Sequence, residues 1–321
     1  MKAMRAHQAG GPEQLRYEDA PDPELGDGQV LIRVGAAGIN PADLVRLSGA
    51  LAPLKLPYIT GTDVSGEVEA VSPGVTNVKV GDRVFGRAIG AAYAEKTCLM
   101  AGEAIPLPDN LSFEEGAAIP IPFYTAYFAF YHKAMLKAGE TVLISAGGGG
   151  VGAAAIQLAK AVGARVMTTV GSQEKADRTR ELGADVAINY KQQDFAAEVR
   201  KLTDGKGVDI IIENVASDNL AADCSCIATS GRIVLIGTGT GKAPNATFGV
   251  LPALLKDITF YGMSLLSADK VIPDMAAAMT PDFAAGKLKA IVSKAYPLQE
   301  ATQALNDLLA GKVFSKLVLI P

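Results

Sequence analysis

The sequence predicts an α/β protein in which a doubly wound parallel sheet is joined to a separate, β-rich domain. Three observations support this fold class: a length of 321 residues, short β-type runs before residue 120, and alternating strand and helix patterns from residue 141. A chain of this length exceeds one ordinary core, because domains usually contain about 100–200 residues. The composition, 49% hydrophobic and 20% charged, is typical of globular proteins. We therefore expect two folded domains.

The first 120 residues contain short β-type runs that are separated by turn signals. Pro-Gly, Gly-Asp and Pro-Asp dipeptides, which begin at Pro73, Gly81 and Pro108, mark these turns. The predicted strands are Val30–Val34, Gly66–Val71, Arg83–Phe85 and Ala94–Leu99. Their close spacing, without a long helical period, indicates a partly open barrel or a small sandwich.

From Thr141 onward, strand and helix patterns alternate, which indicates a parallel, doubly wound sheet. The predicted strands are Thr141–Ser145, Arg165–Val170, Val186–Asn189, Val208–Glu213, Arg232–Ile236 and Ile258–Gly262. The predicted helices are Val151–Val162, Gln173–Leu182, Asp194–Thr203 and Asn219–Cys226, with Ser172 as the N-cap of the second helix. The tail contains two helical patterns and a final apolar strand, Lys316–Ile320, which we expect to pair with the N-terminal β domain.

The composition excludes several classes of function. The 30 basic and 34 acidic residues give a net charge of −4 and form no blocks, so we expect no nucleic-acid partner. Two uncharged stretches, Gly116–Tyr131 and Thr141–Ala159, are interrupted by prolines or glycines, so we expect no membrane span. Three cysteines cannot form a disulfide framework, which indicates a reducing, cytoplasmic environment.

The supply of metal-binding side chains is small. The chain has two histidines and only Cys98, Cys224 and Cys226 as cysteines, and no pair of these has the spacing of a zinc site. The cysteines are therefore predicted to pack as small apolar residues. We expect no bound metal and no histidine-based hydrolytic triad.

A glycine-rich loop between the first predicted strand and helix of the parallel sheet indicates a dinucleotide site. Gly147, Gly149 and Gly152 form a G-x-G-x-x-G motif directly after the apolar strand Thr141–Ser145. Glycines permit a tight turn and let a pyrophosphate approach the helix N-terminus, where N–H groups and the helix dipole favour anions. The alternative is a tight strand-to-helix turn without a ligand.

The end of the second strand of the sheet distinguishes between the two nicotinamide cofactors. NAD-binding proteins usually have an Asp or Glu there, which accepts a hydrogen bond from the ribose 2′-hydroxyl. This chain instead has Thr168–Ser172, without a carboxylate, followed by Lys175. A hydroxyl and a cation suit the 2′-phosphate of NADP, so we predict NADPH as the cofactor. The alternative is that Lys175 is only a solvated residue on a helix surface.

Three other polar residues are candidates for chemistry, although each also has a purely structural explanation. Asn40 precedes a proline, as turn residues often do. Asp43 lies where a short helix would begin. Thr125 is a single hydroxyl in the apolar helix start Pro122–Thr125, which is typical of a core position. From the residues alone, these structural explanations are favoured.

Several motifs along the whole chain give it a clear family resemblance. They are Gly38–Asp43, Gly61–Gly66, Val80–Phe85, Ala92–Glu95, Pro122–Tyr127, the glycine-rich loop, Leu182–Asp185 and Val208–Glu213. The chain resembles the medium-chain dehydrogenase/reductase superfamily, and within it the zinc-independent quinone oxidoreductases of the zeta-crystallin type. The resemblance extends from one end of the chain to the other.

The resemblance implies a GroES-like catalytic domain, 1–122, completed by the tail 264–321, and a Rossmann NADPH-binding domain, 123–263. In zinc-dependent members of the superfamily, a Cys, a His and a second Cys hold the catalytic metal. The corresponding positions here are Asn40, Thr62 and Ile121, none of which is a ligand. The resemblance also implies a homodimer joined near Ile258–Met263.

Roles for individual residues follow from the same resemblance. The residues expected to bind the cofactor are Gly147, Gly149, Gly150, Val151, Gly152, Ser172, Lys175, Tyr190, Asn219, Gly237 and Thr238. Thr125 is expected to lie beside the nicotinamide, and Tyr190, at the end of the third strand, to meet the adenosine 2′-phosphate. The chain departs from the family at Val45 and Leu51, where quinone reductases often have aromatic residues lining the substrate site.

The resulting hypothesis is a cytoplasmic, NADPH-dependent enzyme that transfers hydride to a quinone or another conjugated carbonyl. Such chemistry requires mainly placement of the reactants, because the cofactor supplies the reactivity. Asn40 is expected to donate a hydrogen bond to the substrate oxygen, Asp43 to orient Asn40 or a water, and solvent to supply the proton. Two alternatives remain: an enone or enoyl-thioester reductase, and a non-catalytic NADPH-binding structural or sensor protein. The first is disfavoured by the missing aromatic at Val45.

Overall fold

The computed structural model describes residues 1–88, 90–239 and 245–321. These residues form two compact units. The first, which we call the β-rich unit, comprises Met1–Ile121 and Val271–Pro321. The second, which we call the parallel-sheet unit, comprises Pro122–Lys270. The boundaries expected from the sequence lie after residues 122 and 263.

The N-terminal part of the β-rich unit consists mainly of antiparallel strands. The strands are β1 (Lys2–Ala6), β2 (Leu15–Asp19), β3 (Gln29–Gly38), β4 (Tyr58–Ile59), β5 (Asp63–Val71), β6 (Arg83–Arg87), β7 (Lys96–Met100) and β8 (Ile105–Pro106). The helices are α1 (Pro41–Leu47) and α2 (Phe113–Ala117). One sheet has the order β2-β1-β4, and β3, β5, β6 and β8 are consecutive in a larger one, where β7 also pairs with β3.

In the parallel-sheet unit, strands and helices alternate. The helices are α3 (Pro120–Tyr127), α4 (Gly150–Ala161), α5 (Gln173–Glu181), α6 (Phe195–Leu202), α7 (Ala216–Cys226) and α8 (Val250–Leu255). The strands are β9 (Thr141–Ile144), β10 (Arg165–Val170), β11 (Val186–Asn189), β12 (Val208–Glu213), β13 (Ile227–Leu235) and β14 (Thr259–Gly262). The order is β11-β10-β9-β12-β13-β14, and all neighbours are parallel. This arrangement is a doubly wound Rossmann sheet, as predicted.

The last segment of the chain returns to the β-rich unit. It contains α9 (Ile272–Ala284), β15 (Val292–Pro297), α10 (Ala301–Leu309) and β16 (Lys316–Ile320). Strand β16 pairs in parallel with β15 and antiparallel with β3, with Val318 opposite Gly38. The predicted pairing of the terminal strand with the N-terminal β domain is therefore confirmed. Its apolar side chains, such as Leu317 and Leu319, are buried in the core of this unit.

Local sequence explains where several helices begin. The Ser172 hydroxyl accepts a hydrogen bond from the Lys175 N–H at 3.2 Å, so its prediction as the N-cap of α5 is confirmed. Pro41 occupies the first turn of α1, and the Asp43 carboxylate accepts a hydrogen bond from the Asn40 N–H at 2.8 Å. The structural interpretation of Asp43 as the start of a short helix is correct, whereas Asn40, interpreted as a turn residue before proline, is the extended N-cap residue of that helix.

The structure differs from the sequence analysis in a few elements. Strand β13 begins at Ile227 rather than at Arg232, and helix α7 begins at Ala216 rather than at Asn219. The short helix α2 was not predicted, although Ser112 and Glu115 form a capping box at its start. Within the described ranges, no helix has the length and apolar character needed to cross a membrane.

Candidate functional site

The glycine-rich loop connects β9 to α4, and its glycines fit tightly against neighbouring atoms. A Cβ on Gly147 would lie 1.9 Å from the Thr168 hydroxyl, and a Cβ on Gly152 would lie 2.4 Å from the carbonyl oxygen of Ala146. Both positions therefore require glycine for the turn itself. Helix α4 begins at Gly150 with Gly149 as its N-cap. Since first-turn N–H groups have no acceptor within a helix, those of α4 are available to an anion.

Lys175 lies against this loop. Its Cδ would be 2.9 Å from a Cβ on Gly148, so the aliphatic part of the lysine covers the loop backbone. Burial lowers the pKa of Lys175, and repulsion from the nearby Lys191 and Arg178 lowers it further, whereas Glu174 raises it. Two further cations therefore lie close enough to Lys175 to repel its ammonium group. A bound anion would relieve their repulsion.

Tyr190 belongs to the same region. Its hydroxyl would lie 2.8 Å from a Cβ on Gly171, directly after β10, and half of the residue is exposed. Ser172 follows Gly171 and caps α5 through its oxygen lone pair, which leaves its proton available to another acceptor. Three residues predicted to bind the cofactor, namely Ser172, Lys175 and Tyr190, therefore meet at the carboxyl ends of β10 and β11.

Asn219, Gly237 and Thr238 lie beyond the carboxyl ends of β12 and β13. The Asn219 amide donates to Oε2 of Glu213 at 3.3 Å, and the carbonyl oxygens of Gly237 and Thr238 accept from the N–H groups of Ala216 and Ser217. A Cβ on Gly237 would lie 2.2 Å from the Asn214 carbonyl oxygen. The loop residues Gly237 and Thr238 therefore have defined backbone positions, and Asn219 on α7 has a hydrogen-bonded side chain, as a preformed ligand site requires.

Glu213 connects two strand ends and was not assigned a role from the sequence. Its Oε1 atom accepts from the Ser145 hydroxyl at 2.7 Å and from the Val215 N–H. Its neighbour Asp223 on α7 is also fully buried, and within the described part of the chain neither carboxyl oxygen of Asp223 has a hydrogen-bond partner. Burial and the Glu213 carboxylate both raise the pKa of Asp223. An acidic residue at the end of a buried strand was the available signal.

In the β-rich unit, Asn40 is part of a buried polar cluster. Its Nδ2 atom donates to Oδ2 of Asp63 at 3.0 Å, and its Oδ1 atom accepts from the Lys316 ammonium at 2.6 Å. Lys316 also lies 2.7 Å from Oδ2 of Asp63. Oδ1 of Asp63 accepts from the Ile121 N–H at 3.0 Å. A buried ion pair of this kind therefore holds the Asn40 amide in one orientation.

Asp43 extends the same cluster on its other side. Besides the Asn40 N–H, it accepts from the hydroxyls of Tyr93 at 3.0 Å and Thr62 at 3.4 Å, and Thr62 in turn accepts from Arg46. Burial raises the pKa of Asp43 to about 6, despite these donors. Asp43 thus fixes the backbone of Asn40 through the N–H of that residue, and its expected role in orienting Asn40 or a water stays a prediction.

Asp63, Lys316 and Tyr93 were not recognised as site residues from the sequence. Asp63 and Lys316 each stand among uncharged neighbours in a β-type segment, and a lone charge in such a segment was the available signal.

Thr125 belongs to the parallel-sheet unit, where its side chain on α3 is 5% exposed. This degree of burial also agrees with a core position for Thr125.

The three positions that the family resemblance matches to zinc ligands are part of this cluster or beside it. Asn40 and Thr62 hydrogen-bond to acidic residues, and Ile121 offers only its backbone N–H. Within residues 1–88, 90–239 and 245–321, His, Cys, Asp and Glu side chains form no group of three that could hold a metal ion.

Comparison with protein families matches most of the chain. Residues 26–119 match the alcohol dehydrogenase GroES-like domain, and residues 150–280 match the zinc-binding dehydrogenase domain. Human quinone oxidoreductase is 36% identical over 100% of this chain and 98% of its own length. Quinone oxidoreductase from Pseudomonas aeruginosa is 33% identical, with 97% of each chain covered.

Solved structures give the same result. Escherichia coli quinone oxidoreductase complexed with NADPH has a TM-score of 0.92 at 29% identity, and a mycobacterial protein complexed with NADPH has a TM-score of 0.93 at 33% identity. A structure described as an NAD-dependent alcohol dehydrogenase has a TM-score of 0.91 at 34% identity. All three comparisons cover both chains completely. The chain belongs to the quinone oxidoreductase family of the medium-chain dehydrogenase/reductase superfamily.

Proposed function

We propose that this protein is an NADPH-dependent quinone oxidoreductase. The observation that carries the proposal is the position of Lys175, which lies against Gly148 of the glycine-rich loop and whose pKa is lowered by burial and by the charges of Lys191 and Arg178. One structural neighbour is described as NAD-dependent, whereas two others are complexed with NADPH. The positive charge of Lys175 supports NADPH, because a 2′-phosphate needs a cation that the free 2′-hydroxyl of NADH does not.

The described residues fit a dinucleotide. The N–H groups at the start of α4 suit a pyrophosphate, since a helix N-terminus is an anion site. Lys175 and the hydroxyls of Ser172 and Tyr190 would hold the 2′-phosphate, and Asn219, Gly237 and Thr238 would bind further along the cofactor. When bound, NADPH supplies the hydride. The protein then contributes binding, orientation and electrostatics.

Asn40 is the group that we propose for the acceptor's oxygen. Negative charge accumulates on that oxygen during reduction, and a fixed N–H donor stabilises it more strongly than mobile water does. Asp43 holds the backbone of Asn40, and Thr125 is proposed to border the nicotinamide. Solvent is the proposed proton source, because the polar side chains of the cluster already hydrogen-bond to one another.

The experiment that tests this function is stopped-flow oxidation of NADPH with a panel of quinones, enones and enoyl thioesters, repeated with NADH. We expect rapid turnover with quinones and a clear preference for NADPH. Turnover with enoyl thioesters alone would instead identify the enone or thioester reductase. Tight NADPH binding without turnover of any acceptor would identify a cofactor-binding protein without this activity.

We further propose a homodimer in which the parallel-sheet unit pairs with its copy. Strand β14 is the last strand in the sheet order of the described residues. Large apolar side chains are exposed nearby on α8, where Leu254 and Leu255 are 71% and 74% exposed. Exposed apolar side chains of this kind support an interaction surface at this place. Analytical ultracentrifugation is expected to give twice the chain mass, and a monomer at micromolar concentration would contradict the proposal.

We also propose the cytoplasm as the location of the protein. Cys98, Cys224 and Cys226 are buried and unpaired thiols, which a reducing compartment preserves. Fractionation of the source cells with an antibody against the protein tests this. Recovery with cytoplasmic marker enzymes is expected, and recovery in an exported fraction would contradict it.

A further inference from the structure

We propose that Lys316 is a positioning residue for the reduction step, which acts through the side-chain amide of Asn40. The inference rests on the proposed function, in which Asn40 donates a hydrogen bond to the acceptor's oxygen. It assigns a role to the first residue of the terminal strand β16, which is far from Asn40 in sequence.

The geometry fixes the orientation of the Asn40 amide. Its carbonyl oxygen lies 2.6 Å from the Lys316 ammonium, and its nitrogen lies 3.0 Å from Oδ2 of Asp63. Turning the amide over would bring N–H protons against the ammonium and the carbonyl oxygen against the carboxylate. Both contacts would be repulsive. Asn40 therefore has one stable orientation as long as the Lys316–Asp63 pair is present.

This orientation leaves one donor of Asn40 for a ligand. The Nδ2 atom has two protons, and among the residues that the structure describes only Asp63 accepts from it. A cation at the carbonyl oxygen also draws electron density from the nitrogen, because hydrogen bonds in a chain polarise one another. Lys316 therefore makes the second N–H a stronger donor to an oxygen that gains negative charge.

The cluster is rigid enough for such a role. Lys316 and Asp63 are 2% and 0% exposed. Asp63 is fixed at its second oxygen by the Ile121 N–H, and the Asn40 backbone is fixed by Asp43. Hydrophobic residues can often replace a buried ion pair without loss of stability. A contribution to stability therefore does not explain why Lys316 and Asp63 are present. The contact of this ion pair with the Asn40 amide does explain it.

The test is a set of variants measured with NADPH and the best quinone. Lys316→Met alone leaves the Asp63 carboxylate buried without its cation, which endangers folding. We therefore combine it with Asp63→Asn, which removes both charges, and include Lys316→Arg, which retains the positive charge. Lys312→Met, an exposed lysine of the same tail, is the matched control.

We expect kcat to fall about ten- to a hundred-fold in Lys316→Met/Asp63→Asn, with partial recovery in Lys316→Arg and no change in Lys312→Met. The Kd of NADPH should stay within about two-fold of the wild-type value. Adding Asn40→Ala to the double variant should lower kcat little further, because Asn40→Ala and the double variant both remove the hydrogen bond from Asn40 to the acceptor's oxygen. Unchanged kcat, or losses that multiply, would overturn the role of Lys316.

A second measurement does not depend on activity. With ¹⁵N-labelled asparagine, the two Nδ2 protons of Asn40 should give separate, slowly exchanging signals in the wild type, assigned by their absence in Asn40→Ala. In Lys316→Met/Asp63→Asn, the chemical shifts of these two protons should move toward the values of free asparagine. Unchanged signals would show that Lys316 does not hold the amide. If the NMR signals change as expected but the wild type does not turn over any quinone, the proposed function is refuted. The positioning of the Asn40 amide by Lys316 would still stand.

Discussion

The hydroxyl of Tyr93 donates a hydrogen bond to Oδ2 of Asp43 at 3.0 Å, and both side chains are almost completely buried. Burial raises the pKa of this carboxyl to about 6 from its ordinary value of 3.8. Asp63 on β5 raises it too, whereas Lys316 on β16 and the Tyr93 hydrogen bond lower it. Asp43 is therefore expected to titrate within the range of ordinary assays.

The free energy of unfolding should depend on pH through Asp43. Between about pH 4 and 6, the folded protein retains a proton on Asp43 that the unfolded chain has lost, so stability falls as pH rises. The rise in the pKa of Asp43 corresponds to a change of roughly 3 kcal/mol in the free energy of unfolding. Urea unfolding of wild type and Asp43→Asn across this range measures it. We expect the difference in the free energy of unfolding between wild type and Asp43→Asn to change over pH 4–6 and to be constant from pH 7 to 8. A difference that stays constant over pH 4–6 would refute the prediction.

Asn40→Ala should lower turnover about ten- to a thousand-fold with little effect on NADPH binding. The reason is that Asn40 is proposed to stabilise only the transition state. Steady-state kinetics with the best quinone and fluorescence titration of NADPH give the two quantities. Unchanged turnover would return Asn40 to a structural role at the start of α1.

Lys175→Ala should weaken NADPH binding about ten- to a hundred-fold and leave NADH binding almost unchanged. A charge-assisted contact to the 2′-phosphate contributes about 1.5–3 kcal/mol, and each 1.4 kcal/mol is a factor of ten. Lys201→Ala, which removes an exposed lysine from α6 of the same unit, is the control. Equal losses for both cofactors would show that Lys175 supports the fold instead.

The purified protein is expected to contain no stoichiometric zinc and to retain activity in EDTA. A catalytic zinc site needs three protein ligands, and the corresponding positions here are Asn40, Thr62 and Ile121. Elemental analysis and assays before and after chelation test this expectation. About one zinc per chain, removed together with activity, would contradict it.

Asp223→Asn should stabilise the protein at pH 8. The raised pKa of Asp223 means that the folded state retains its proton after the unfolded state has lost it, so stability declines as pH rises above about 4. An amide does not ionise and can donate a hydrogen bond to Glu213. We expect a gain of about 1–3 kcal/mol, because ionisation of Asp223 at pH 8 stabilises the unfolded wild type but not the unfolded variant. Urea unfolding at pH 5 and pH 8 should show the gain growing with pH.

The parallel-sheet unit was predictable because its information is local. Its strands are buried on both faces and appear as short apolar runs, such as Val142–Ile144, and helix caps such as Ser172 mark the boundaries. The loop, Ser172 and Lys175 follow one another along the chain. Periodicity, caps and glycine spacing therefore identified the fold, the glycine-rich loop, Ser172 and Lys175, whereas Tyr190, Asn219 and Gly237 came from the family resemblance.

The buried cluster of the β-rich unit was only half predictable. Asn40 and Asp43 were found because they belong to one motif, but their partners come from other segments of the chain. Asp63 begins β5 and Lys316 begins β16, and 253 positions separate them. Nothing in a single sequence links two isolated charges over such a distance. The pairing of β16 with β3 brings them together, and this pairing had to be seen in the structure.

The two-segment origin of the β-rich unit has a consequence for building chimeric enzymes. A fragment that ends at residue 121 would lack β15 and β16 and would bury Asp63 without its cation. The parallel-sheet unit, in contrast, is one uninterrupted stretch. Transplanting the residues proposed for the cofactor thus requires a single insert with two junctions. Transplanting the residues proposed for the acceptor requires two pieces, and the shorter one must include Lys316 at the start of the last strand.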